Sequence, residues 1–418
     1  MNEELLCYIW QHKIFEHKEL LSAAGEQLTI VHPGVRNTDS GPDFTQAKVR
    51  VHEDLLVGNV EVHVKASDWK KHGHDSDKAY ANVILHVVNE NDAEHPGVPT
   101  LELKGRIEEK FLNAYQRLLS NRNWIPCENQ IRRVDTLFVK SGLHRLLVER
   151  MEEKTGAALS LNQQNKNSWE ETCYQIIARS FGLKVNADVF ELLAKSLPLK
   201  ILTKHKNGLL QTEALLFGQA GLLEKEFKDA YPKHLKKEYA FLKKKYELQP
   251  LEAHLWKFMR LRPAGFPTLR IAQFAKLLHQ STHLFSKIVA VKTASELTKL
   301  FQDKPSDYWF THYRFDVLSS TKERTPGEDF VNTLLVNAVV PLLFVYGKAK
   351  GDPVIQEKAF SLLEQIPAED NSILRKWKQL GISCKTAYES QALLQLKNVY
   401  CKEKKCLRCH IGNRLLKS

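Results

Sequence analysis

The chain has 418 residues, 43% hydrophobic and 26% charged, ordinary globular values at a length that exceeds one typical core, so two or three folding units are expected. A formal charge of +12 with a pI near 9.2 favours a polyanionic partner, because cations that neutralise phosphates gain affinity from released counterions. The acidic start MNEELLCYIWQHKIF argues against a secretory leader, no apolar run is read as approaching the roughly 18 residues that cross a bilayer, and seven irregularly spaced cysteines argue against a secreted disulfide framework. The expectation is a cytoplasmic protein without a membrane partner.

Residues 3–23 are expected to form a helix, with Leu5, Ile9, Trp10 and Leu20 among its apolar positions and Gly25 as a stop. The strand QLTIVHPG follows and ends at Pro33-Gly34. After the polar turn RNTDSGP, residues 45–52 alternate Ala47, Val49 and Val51 against Gln46, Lys48 and Arg50, and Glu53-Asp54 with Gly58 brackets a hairpin into GNVEVHVK. In that returning strand Val60, Val62 and Val64 project to one face and Glu61, His63 and Lys65 to the other. The valine face reads as core, and the polar face as solvated surface or the wall of a site. A loop or short helix over 67–80, a buried strand ANVILHVV at 81–88 and a segment near 100–103 complete an α/β region. From Asp135 the apolar spacing becomes three to four residues, so residues 135–395 are read as mostly helical. The expected domains are 1–134, 135–395 and a cysteine-rich tail, 396–418.

Asp43 in SGPDF opens one strand of the hairpin, and Glu61 lies on its partner. Antiparallel pairing can bring two such acids together, and paired carboxylates suit a hard divalent cation such as Mg²⁺ or Mn²⁺. GPDF followed by GNVEVH resembles the PD-(D/E)XK nuclease superfamily. That resemblance implies a mixed sheet flanked by helices, metal-binding acids at Asp43 and Glu61, and an assisting acid at Glu3 or Glu4. It places His63 where the superfamily has lysine: imidazole there either acts as general base or marks a lost activity, and Lys65, one period further, is the alternative cation. The chain as a whole also resembles a bacterial domain-of-unknown-function family carrying NxxSGPDF, VEVHxxASDW, HGHxxD, RPxxFPxxR and CLxC-x-IG.

Nine of the seventeen histidines (12, 17, 32, 52, 63, 72, 74, 86, 95) precede residue 96. In HGHDSD, His72, His74 and Asp75 read either as metal or phosphate ligands or as a capped turn; His86 reads as a core histidine and Trp69 as core. Lysines crowd Lys225–Glu247 among Tyr231, Tyr239, Phe241 and Tyr246, a solvated helix face or a phosphate-tracking one. Arg262 and Arg270 in LRPAGFPTLR either contact phosphate or pair with buried acids. In the tail, Cys401, Cys406 and Cys409 have C-x4-C-x2-C spacing, which suits zinc with Cys384 as fourth ligand; His410 is too close to Cys409 to serve easily. The nuclease resemblance offers an iron–sulfur cluster instead, with Cys7 or Cys127 contributed from the N-terminal region. The function expected is metal-dependent hydrolysis of DNA or RNA; a catalytically degenerate nucleic-acid-binding or scaffold protein is the alternative.

Overall fold

The alternation along residues 44–65 is realised as an antiparallel hairpin, β4 (Phe44–Val51) and β5 (Asp54–Lys65), at the centre of a seven-stranded mixed sheet. In a computed structural model, describing residues 1–93, 97–205, 207–281 and 283–417, the sheet comprises β1 (Leu20–Leu21), β2 (Gln27–His32), β3 (Val35–Arg36), β4, β5, β6 (Val83–Glu90) and β7 (Thr100–Glu102). Its order is β1-β2-β4-β5-β6-β7, with β3 also pairing β4. Pairs up to β4/β5 are antiparallel, whereas β5/β6 and β6/β7 are parallel. Parallel neighbours need a crossover, and here the β5–β6 connection carries the short helix α2 (Asp68–Lys71) and the turn of HGHDSD. His95, noted in the sequence, lies outside the described residues.

Two N-terminal expectations are corrected. The first helix, α1 (Glu3–Gln11), stops eleven residues into the chain; Lys13 and Glu19 take left-handed backbone conformations that no helix continues through, and Leu20 enters β1 opposite Leu28. Gly58 does not bracket the hairpin, whose turn is His52-Glu53 between paired Val51 and Asp54. It sits inside β5, where a Cβ would lie 2.7 Å from the Asn82 carbonyl oxygen. Only glycine lets the chain entering β6 approach so closely.

One face of the sheet is closed by α1 and by α3 (Glu109–Ser120). Val60, Val62, Leu85, Val87 and Leu101 from the strands pack with Leu6, Ile9 and Trp10 of α1 and Phe111, Tyr115 and Leu118 of α3, and Cys406, Leu407 and Leu416 of the C-terminal tail enter the same core. The tail from Lys397 therefore belongs to the sheet unit, which otherwise spans residues 1–139. The second unit, Lys140–Leu396, is largely helical. Within it, the sequence expectation that no apolar run nears membrane-spanning length is corrected: residues 328–350 form a 23-residue helical stretch containing an 18-residue window of mean hydropathy 1.8, long and apolar enough by those measures alone to cross a bilayer. Within the unit 78% of its apolar window is buried, the burial of a core helix.

Candidate metal centre on the mixed sheet

Both faces of β5 are buried around its middle. Val60 and Val62 point to the core, while Glu61 and His63, on the opposite face, are only 6% and 1% exposed. The polar face is thus a wall rather than ordinary surface, and the loop after β5 covers it. Trp69 of α2 is buried and sets its ring near those of His63, His74 and His86. Gly73, at φ +75°, gives the left-handed step between His72 and His74, a conformation that suits glycine and turns the two flanking imidazoles back toward the strand.

The imidazoles converge. His63 Nε2 is 3.2 Å from His72 Nδ1, and ligand nitrogens of His63, His72 and His74 all lie within 4.8 Å of one another. Glu61 Oε1 is 3.5 Å from both His63 Nε2 and His74 Nε2. A tetrahedral ion with metal–nitrogen bonds of about 2.0–2.1 Å separates its ligand atoms by roughly 3.3 Å, so these three spacings fit the edges of one coordination polyhedron. The other ring nitrogen of His63 is 2.9 Å from His86 Nε2, so the buried histidine read as core orients the wall histidine, as outer partners of metal-binding imidazoles do. His74 Nε2 is buried without a hydrogen bond, and its ring stacks on Tyr80 at 3.7 Å.

Asp43 and Glu61 meet as the hairpin pairing anticipates. The Asp43 backbone N–H donates to Glu61 Oε2 at 3.0 Å, and the Val62 N–H donates to Asp43 Oδ2 at 3.1 Å. Arg36 of β3 donates from Nη1 to Asp43 Oδ1, and the sequence expectations do not include it; its position at the mouth of the polar turn returning to Asp43 was the available signal. Burial first, and then the neighbouring charge of Asp43, push Glu61 up to about 8. Burial, with His74 and His72 adding to it, lowers His63 to about 4. Burial therefore favours the neutral forms of Glu61 and His63, a pocket short of positive charge, and neutral imidazole is the ligating form. A cation relieves what burial costs here.

The other candidates fall elsewhere. Lys65 shares the face of Glu61 in sequence, yet its ammonium is exposed and 3.8 Å from Asp92. Asp75 accepts from Trp69 Nε1 at 3.0 Å, holding the tryptophan in place. Glu4 pairs with Arg408, whereas Glu3 is exposed and acts on Glu61 and Cys7 only through its charge. Cys7 feels Asp43, Arg36 and Glu61, so it belongs beside this site. In the helical unit, Arg262 is exposed, while Arg270 is buried with its guanidinium carbon 3.3 Å from the Phe330 ring centroid and donates to Gln273 Oε1. Its burial agrees with one of the two readings, but its partners are an aromatic face and an amide rather than an acid. Cys384 precedes the helix Ala387–Gln395 of that unit, with Glu389 the first of its charged neighbours. Cys401, Cys406 and Cys409 are in the sheet unit, as is Cys127.

Residues 3–372 match the family described as Protein of unknown function (DUF2851). The chain is a member of that family. Comparisons with curated proteins and with solved structures return no match.

Proposed function

We propose that the sheet unit is the catalytic part of a metal-dependent nuclease that hydrolyses phosphodiester bonds in nucleic acid. The observation that carries this reading is the convergence of Glu61, His63, His72 and His74 on one point, buried on the side of Glu61 and His63 and open at His72, with Asp43 bound to Glu61 across the hairpin. Support for the substrate class comes from the net charge of +12 and from the likeness to PD-(D/E)XK nucleases.

Glu61 with the three histidines would hold the ion. A donor set rich in imidazole favours Zn²⁺ or Mn²⁺ over Mg²⁺, which prefers oxygen ligands and keeps its waters. When bound, the ion supplies Lewis acidity toward a phosphodiester oxygen and acidifies water. The protein's own groups do the positioning. His86 fixes the ring of His63, Trp69 and Tyr80 wall the imidazoles, and the Arg36–Asp43 pair holds Glu61 through the Asp43 N–H.

The rival reading, a nuclease-like protein that binds nucleic acid without cutting it, is favoured by two observations: Lys65 is turned toward Asp92, and both oxygens of Asp43 accept hydrogen bonds from the protein. Cleavage of single-stranded DNA, duplex DNA and RNA by wild type and Glu61→Gln, each with Mn²⁺, Zn²⁺ or Mg²⁺, separates the two. Wild type is expected to cut at least one substrate with Mn²⁺ or Zn²⁺, and the variant to lose more than 100-fold in rate. Metal binding with no cleavage of any substrate establishes the rival.

A further inference from the structure

The sheet unit brings a second set of candidate ligands into one neighbourhood, from opposite ends of its sequence. Cys127 sits in the turn after α3, where its carbonyl accepts from the N–H groups of Gln130 and Ile131. The tail returns to this turn. Lys397 Nζ donates to the Trp124 carbonyl at 2.7 Å, and Lys404 Nζ donates to that of Leu119. Cys401 ends a helical segment, the chain reverses through Lys404 at φ +52°, and Cys406 and Cys409 close a tight turn in which the Cys409 N–H donates to the Cys406 carbonyl. Gly412 lies so close beneath this turn that a Cβ there would come within 2.2 Å of the Cys406 carbonyl oxygen. Cys406 is part of the core cluster and Cys127 packs against it. No disulfide links them, and His410 is turned away, its Nε2 3.1 Å from the Val139 carbonyl oxygen.

Two buried thiols, Cys406 and Cys409, and two half-buried ones, Cys127 and Cys401, carried into one neighbourhood by a x2-spaced turn, a reversing loop and a distant turn, make a ligand set for a soft metal. We propose that Cys127, Cys401, Cys406 and Cys409 together hold one thiolate-bound metal centre, a zinc ion or an iron–sulfur cluster, that pins the C-terminal tail to the turn after α3. Cys127 supplies the fourth ligand, in the place that spacing alone assigns to Cys384. Binding displaces the thiol protons to solvent, and the metal would offset part of the charge that the thiolates impose on one another. The centre is structural, because all four positions are taken by protein sulfur, and it is distinct from the imidazole site.

The test uses the full chain purified anaerobically without chelators, with metal and acid-labile sulfide measured in wild type, Cys127→Ser, Cys384→Ser and His74→Ala. In His74→Ala, which empties the imidazole site, one zinc per chain, or iron with sulfide and visible absorption, is expected; wild type and Cys384→Ser are expected to hold the same metal beside whatever the imidazole site binds, and Cys127→Ser to hold one zinc, or the iron and sulfide, fewer than wild type. Zinc and iron–sulfur are told apart by the sulfide and the colour. Should Cys127→Ser fail to fold, a mercurial titration of wild type gives the same answer, with metal released in step with modification of four thiols. Absence of any metal that survives His74→Ala, or loss of metal from Cys384→Ser with retention in Cys127→Ser, overturns the proposal.

Discussion

Glu61 in the sheet unit and Glu213 in the helical unit are both buried carboxylates, 6% and 1% exposed, and burial pushes both upward, to about 8 and about 7. Their surroundings differ. Glu213 lies in a closed hydrogen-bonded network: Ser306 donates to its Oε1 at 2.8 Å, Tyr231 is within 3.0 Å of Ser306, and Trp309 Nε1 donates to Tyr231. Around Glu61, imidazole nitrogens crowd the carboxylate at 3.5 Å, and one of them, His74 Nε2, makes no hydrogen bond. Buried polar groups that satisfy one another belong to the architecture, whereas lone pairs aimed at a common point belong to a site.

The sharpest way to break this contrast is to remove a ligand and a supporting partner separately. His74→Ala should lower the affinity of the imidazole site for Zn²⁺ or Mn²⁺ by more than about 100-fold, and His86→Ala, which touches the ion only through His63, by roughly 10–100-fold. Calorimetric titration reads both. Equal, small effects would place His74 with the architecture.

The carboxylate of Glu213 should respond in the opposite way, through stability alone. Its folded pKa of about 7 lies above the ordinary 4.5, so the native state holds its proton more tightly than the unfolded chain. This group's contribution is therefore most favourable below about pH 4.5, declines as pH rises toward 7 and stays at its lowest above that, a total of ~3 kcal/mol. Glu213→Gln should raise the thermal midpoint at pH 8 and make little difference at pH 4.5. A variant less stable than wild type at pH 8 would show that the charged form is the one the network needs.

The smallest effect concerns the helix Ala230–Tyr246. Tyr239 is core, Lys236 pairs with Glu226, and Lys243, Lys244 and Lys245 are exposed beside Phe241, itself 63% exposed. If these three lysines neutralise phosphates, reversing them to glutamate should flatten the salt dependence of nucleic-acid binding by about 0.9 in slope for each phosphate left without its cation. An unchanged slope leaves them as solvated surface, and nucleic-acid recognition with the sheet unit.

What the sequence made legible follows its periodicities. Alternation over 44–51 and 54–65 marked the hairpin and paired Asp43 with Glu61, because a two-residue period declares faces without knowledge of neighbours. The helix read over 3–23 was too long because Leu20 keeps a helical spacing with Ile9 and Trp10 although Lys13 breaks the backbone. HGHDSD was legible as ligand or turn, and it has the geometry of both. Arg36 reaches Asp43 only through the short β3 pairing, and His86 reaches His63 only because β5 and β6 run parallel; neither pairing has a local signature. The nearness of Cys127 to the tail spans more than 270 positions, a distance over which spacing carries no information. The apolar stretch beginning at Phe330 was missed because isolated asparagines and a threonine interrupt it without adding charge.

The return of the tail to the first unit has a consequence for the order of events during synthesis. Cys406, Leu407 and Leu416 belong to the core that backs β5, so the nascent sheet emerges from the ribosome with part of its hydrophobic backing still untranslated. At about 5–20 residues per second, the strands that carry Glu61 and His63 wait on the order of tens of seconds while residues 140–396 are made. The imidazole wall can be sealed from behind only when the last residues arrive, so a chain cut short near its end carries every residue of the candidate centre and lacks the backing that would hold them in place.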